Sequence, residues 1–69
     1  MIHPAADFCN RLRRLRRVRG YTQAELIRCV GTSQVRDWEA GRSKPGFDHL
    51  VSLGEVLDVS LDELMRGEK

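Results

Sequence analysis

Residues 22–45, TQAELIRCVGTSQVRDWEAGRSKP, constrain this chain more than any other stretch, because they read as two short helices around a tight glycine turn. Thr22 and Glu25 have the spacing of a capping box, which predicts a helix from Gln23. Leu26, Ile27 and Val30 give that helix one apolar face. Gly31 supplies a residue able to take a left-handed turn, and Thr32 and Ser33 are candidate caps for the next helix. On that second helix Val35 and Trp38 lie three apart, while Arg36 and Asp37 point elsewhere. Gly41 is its expected stop, and Arg42 and Lys44 follow in a loop closed by Pro45. A short helix holding a second, polar-faced helix at a steep angle suits the DNA major groove.

Sixty-nine residues make one domain, near the lower limit for a core without staples. With only Phe8, Tyr21, Trp38 and Phe47 as aromatics, Leu and Val must fill most of the interior. No apolar run approaches the roughly 18 residues of a membrane span. The opening MIHPAADF lacks the basic and apolar regions of a secretory signal, so residues 1–6 read as a flexible tail and the chain as cytoplasmic. Cys9 and Cys29, even with His3 and His49, have no metal-site spacing. They are expected to be small hydrophobic side chains, and neither metal nor cofactor is expected. No nucleophile–base pairing or phosphate loop suggests an enzyme.

Charge is unevenly spread. Residues 1–44 carry ten Lys/Arg against four Asp/Glu, a balance of +6, whereas residues 45–69 carry a balance of −4. A basic first two-thirds joined to an acidic end implies one face for a polyanion and another for something else.

Helical periodicity recurs along the whole chain. A first helix is expected from about Asp7, as N-cap, to Arg19, with Phe8, Leu12, Leu15 and Val18 buried. Six arginines crowd its residues 11–19. A fourth is expected from about Phe47 to Leu57, with Phe47, Leu50, Val51 and Leu57 inward and Leu53 alongside. Gly54 lies mid-helix, where it costs roughly 1 kcal/mol against alanine unless close packing needs it. The fifth begins after Ser60, whose box closes on Glu63, and ends near Arg66 before Gly67. The expected fold is all-α, a compact five-helix bundle over residues 7–66, with 67–69 as a C-terminal tail.

Thr22-Gln23-x-Glu25-Leu26, Gly31, Trp38-Glu39-x-Gly41, Pro45 and the closing Leu57-x-Val59-Ser60-Leu61-Asp62-Glu63-Leu64 resemble the lambda-repressor-like helix-turn-helix proteins, including Cro and the Xre-type regulators. The resemblance spans about residues 8–65. It implies a regulator, in the repressor mould, that binds operator DNA as a twofold dimer. It places Gln23 at a phosphate, and Gln34, Arg36 and Asp37 in the recognition helix. Arg42 and Lys44 fall in a loop approaching the backbone, and Arg16 and Glu39 match a buried salt bridge.

One departure stands out. Thr22 to Glu39 spans 17 positions, two fewer than the family's usual spacing. At the helical repeat, two residues correspond to about 200° of rotation. Either the recognition helix has lost over half a turn at its N-terminus, leaving Gln34 near its start, or it keeps its length by consuming the turn and brings Thr32, Ser33 and Gln34 to DNA. Ile27, where the family generally has a small residue, is expected to push the two helices apart.

Weighed singly, Gln34 suits adenine and Arg36 suits guanine, with Ser33 and Thr32 as further base-reading candidates. Arg13, Arg17 and Arg19 join Gln23, Arg42 and Lys44 as phosphate candidates, against the ordinary alternative of a solvated arginine face. Asp37 is expected to neutralise Arg36, Trp38 to be core, and His49 to be solvated. Leu57, Val59, Leu61, Leu64 and Met65 must fill the core first, and whatever remains exposed is a candidate dimer surface. The partners expected are double-stranded DNA and a second copy of the chain. The rival reading is a protein-interaction module on the same scaffold, antitoxin-like or degenerate, binding a protein partner.

Overall fold

A computed structural model describes residues 4–66. Within them the chain forms five helices and no strand: α1 Pro4–Val18, α2 Gln23–Val30, α3 Val35–Ala40, α4 Phe47–Leu57 and α5 Leu61–Arg66. The all-α, five-helix expectation holds. Helix α1 packs against α3 and α5, α2 against α3 and α4, and α4 against α5.

The first helix starts three residues earlier than expected, so residues 4–6 are helix and not tail. Proline is well suited to the first helical position, where its missing N–H would have had no partner and its fixed φ is already helical. Asp7 then sits in the first turn, favourably placed towards the positive end of the helix, instead of serving as the cap. Residues 1–3 and the 67–69 tail, with His3 and the Gly67 stop, lie outside the described residues.

Phe8, Leu12, Leu15, Leu26, Val35, Trp38, Leu53, Leu57 and Leu64 form the core, with Tyr21, Ile27, Val30, Leu50, Val56 and Val59 packed around it. Two apolar residues expected inside are instead exposed: Val18 at 71% and Phe47 at 70%. Each is the terminal residue of its helix, and terminal turns overhang the zone where helices meet. The half-buried His49 is not fully solvated either; its ring centroid lies 5.2 Å from that of Trp38, tilted by 49°. Cys9 is buried in α1 and Cys29 is exposed on α2.

The capping box at α2 is complete. The Glu25 N–H donates to Thr22 Oγ1 at 3.1 Å, and the Thr22 N–H donates to Glu25 Oε1 at 2.8 Å. The Thr22 backbone N–H, followed by its hydroxyl, holds the Glu25 carboxyl below its usual range. A depressed carboxyl stabilises the fold above its unfolded-state pKa and loses that contribution as pH falls through the folded one. Glu25→Gln preserves the box but removes the titration. The stability difference between wild type and variant, followed by urea unfolding, is therefore expected to shift against the wild type on acidification below about pH 4. A pH-independent difference would show that the carboxylate form is not preferred in the folded protein.

Gly54 is buried because α4 turns back sharply into α5. Asp58 caps α4 in the left-handed conformation, and the Val59 N–H donates to Gly54 O at 3.0 Å. A Cβ on Gly54 would stand 3.0 Å from the Val59 carbonyl oxygen, an atom of the backbone held by that same turn. Alanine's better helix propensity is worth about 1 kcal/mol and overpacking costs about 1–3, so Gly54→Ala is expected to lose on the order of 1 kcal/mol. A stabilised variant in thermal unfolding would show that the turn yields freely.

Candidate nucleic-acid interface

Between α2 and α3 the chain keeps its turn and shortens its helix. Gly31 ends α2 at φ +90°, its N–H donating to Ile27 O at 2.7 Å. The Gln34 N–H donates to Thr32 Oγ1 at 3.2 Å, closing a turn ahead of the helix. The N-cap of α3 is Gln34, with no side-chain cap bond, so neither Thr32 nor Ser33 caps it as expected. The Arg36 N–H reaches back to Ser33 O at 3.1 Å, a tight three-residue turn leading into α3. Helix α3 has only six residues, Val35–Ala40. Of the two ways to absorb the short spacing, the chain takes the shorter recognition helix, with Gln34 at its start. Ile27 is accommodated, half-buried against the core.

The orientation of α3 is set at its far end. Arg16 Nε donates to Glu39 Oε2 at 2.7 Å and Nη2 to Oε1 at 3.1 Å, a two-pronged pair. Arg16 Nη1 donates to Tyr21 O at 3.0 Å, tying the pair to the loop before α2. Glu39 is 3% exposed. Arg13 Nη1 donates to the Glu39 carbonyl at 2.8 Å, and Arg13 also reaches Asn10 Oδ1. The Arg16–Glu39 bridge is thus present, and Glu39 collects donors from α1 and α2.

The α2 donor is Gln23. Its Nε2 lies 3.2 Å from Glu39 Oε1, so one amide N–H of this expected phosphate ligand is spent inside the protein. Asp37 is also paired internally, but with Arg42 and not with Arg36: Arg42 Nε and Nη2 approach Asp37 Oδ1 at 3.0 and 2.8 Å. The left-handed Gly41 folds the chain back so that these side chains, five apart, meet. Both are well exposed, and such a surface pair adds only about 0–1 kcal/mol to the fold.

With Val35, Trp38 and Glu39 turned inward and Asp37 paired, α3 itself presents Arg36. Ser33 and Gln34 are exposed just ahead of it, and Thr32 is half-buried with its oxygen accepting the Gln34 N–H. Lys44 is exposed in the loop beyond Arg42. Among the arginines of α1 and its end, Arg13 is committed to Glu39 and Asn10, and Arg19 Nη2 donates to Asp58 O at 3.1 Å. Arg17 is exposed and unpaired among the described residues. Of the apolar residues at the other end, Leu57 and Leu64 are fully buried and belong to the core. Val59 is half-buried, leaving Leu61 and Met65 exposed at 38% and 46%.

The fold and this arrangement define a class, and comparison with known proteins agrees: residues 12–64 match the helix-turn-helix family, and the chain belongs to it. It is 37% identical over 60 residues to the uncharacterized HTH-type transcriptional regulator YobD of Bacillus subtilis, covering 84% of this chain and 54% of that protein. It is 30% identical over 63 residues to the uncharacterized HTH-type transcriptional regulator YqaE of the same organism, covering 88% and 54%. With the HTH-type transcriptional activator BcrR of Enterococcus faecalis it shares 29% over 65 residues, 91% of this chain and 32% of that one. The chain thus spans about half the length, or less, of these relatives. No solved structure gives a significant match. No described helix is long and apolar enough to cross a membrane.

Proposed function

We propose that this protein is a sequence-specific DNA-binding transcriptional regulator that enters the major groove with α3 as a homodimer and represses by occupying its operator. The observation that carries this reading is the Arg16–Glu39–Gln23 cluster. It fixes the end of a short helix from behind and leaves Arg36, with Ser33 and Gln34, facing outward. Arg36 suits guanine O6 and N7, and Gln34 suits adenine N6 and N7. Thr32 acts through the turn that positions Gln34. Arg42, Lys44 and Arg17 supply phosphate contacts, with Gln23 adding its remaining amide hydrogen and Arg13 and Arg19 contributing on exchanging their internal acceptors.

Magnitudes favour the dimer. A good two-pronged base contact discriminates by about 1–3 kcal/mol, so Arg36 and Gln34 together give roughly 2–6. Specific sites are separated from bulk DNA by about 4–10 kcal/mol, which two copies reach more securely than one. Leu61 and Met65, with Val59 at their edge, form the dimer surface. Occupancy alone is enough to repress, and the protein acts in the cytoplasm without a cofactor or catalysis.

The test is selection of bound duplexes from a random pool at near-physiological salt, with wild type and Arg36→Ala. A palindrome with half-sites about one helical turn apart, losing preference at one position of each half in the variant, supports the reading. Retention of DNA with no enriched motif overturns it in favour of the protein-interaction module.

A further inference from the structure

Between the first turns of α1, the loop before α4 and the end of α5 lies a cavity of about 270 Å³. Phe8, Leu50 and Met65 give it apolar walls. Arg11, Lys44 and Arg66 bring three positive charges to it against a single carboxylate, Asp7. The Nη1 nitrogen of Arg11 is buried and has no hydrogen-bond partner among the described residues. A charged donor withdrawn from water without an acceptor is costly, and the arginines of α1 that serve the fold, Arg13 and Arg16, both have theirs. Arg11 therefore differs from them in kind.

We propose that this cavity binds an amphipathic anion, its carboxylate or phosphate head received by Arg11 between Lys44 and Arg66, its apolar body against Phe8, Leu50 and Met65. The charge balance selects an anion, because three cations face one carboxylate. The guanidinium selects an oxyanion head, which matches its donors in pairs. At about 270 Å³ the cavity has nearly twice the volume of the roughly 150 Å³ void that holds benzene, so the body is one ring or a short chain. Lys44 is shared with the proposed phosphate contacts, so an occupied cavity competes with DNA for its ammonium group. That consequence rests on the DNA-binding reading; the site does not, and it is tested on the protein alone.

The experiment is a titration of the whole chain, carbon-13 labelled at Met and Leu methyl groups, with 4-phenylbutyrate, phenyl phosphate and the neutral 4-phenylbutanol. Saturable shifts at Met65 and Leu50 are expected with at least one anion, with affinity on the order of tenfold above that for the alcohol. Arg11→Met is expected to weaken the anion about tenfold, and the exposed Arg66→Met about threefold. Comparing the two anions tells which head the site takes. Where circular dichroism shows that Arg11→Met has not folded, Arg66→Met decides. No saturable shift with either anion, equal affinity for the alcohol, or unchanged affinity in the folded variants would overturn the proposal.

Discussion

Glu39→Ala is expected to destabilise the protein by about 3 kcal/mol, the lower end of what breaking a buried ion pair costs. The lower end applies because the Arg16 side chain keeps 11% of its exposure while Glu39 keeps 3%. The variant strands the Arg16 Nε and Nη2 donors and frees the Gln23 amide, leaving Arg16 only its bond to the Tyr21 carbonyl. A chain of this length has roughly 3–10 kcal/mol of stability in all, so urea unfolding should show a large loss. The Arg16→Met/Glu39→Leu double variant is expected to recover most of it, since removing both charges leaves none buried alone. A loss below about 1 kcal/mol in Glu39→Ala would mean that solvent already screens the pair. The Glu39 main-chain bond from Arg13 survives all these changes, so the end of α3 stays attached to α1.

Trp38→Ala is expected to cost still more, about 3–5 kcal/mol, because a fully enclosed large side chain leaves a cavity that its neighbours fill only in part. Trp38 is 1% exposed, and α3 contributes just one other apolar residue, Val35, to the core. Losing the indole therefore removes most of the apolar anchorage of α3, along with the ring against which His49 packs. Far-ultraviolet circular dichroism is the measurement, since the variant has no tryptophan fluorescence. Near-wild-type unfolding would show that α3 is held by Glu39 and Val35 alone.

These two residues illustrate different degrees of legibility. Trp38 could be assigned to the core from its spacing to Val35, a local pattern. The Arg16–Glu39 pair joins residues 23 positions apart, and it was expected only through resemblance to a family. The Gln23 and Arg13 bonds to Glu39 had no sequence signal at all. Asp37 shows the same gap: Arg36 is its neighbour in sequence, yet the left-handed Gly41 carries Arg42 to it. The cavity near Arg11 was equally hidden, because its residues come from α1, the loop before α4, α4 and α5.

What the sequence by itself determined is whatever depends on residues within a few positions of one another. The Thr22–Glu25 box, the glycine after α2, the hydroxyl ahead of α5 and the 3.6-residue apolar spacing all act within one or two helical turns. From these came the number of helices, their order and most of the core. Tertiary structure decided how the missing two residues were absorbed: α3 is short, starting at Val35, while the turn from Gly31 to Gln34 is kept. It also decided that Val18 and Phe47 face solvent, and which arginines are paired within the fold. The physical reason is that burial and pairing depend on the surface an element meets, and helix ends and charged side chains find their partners across the fold.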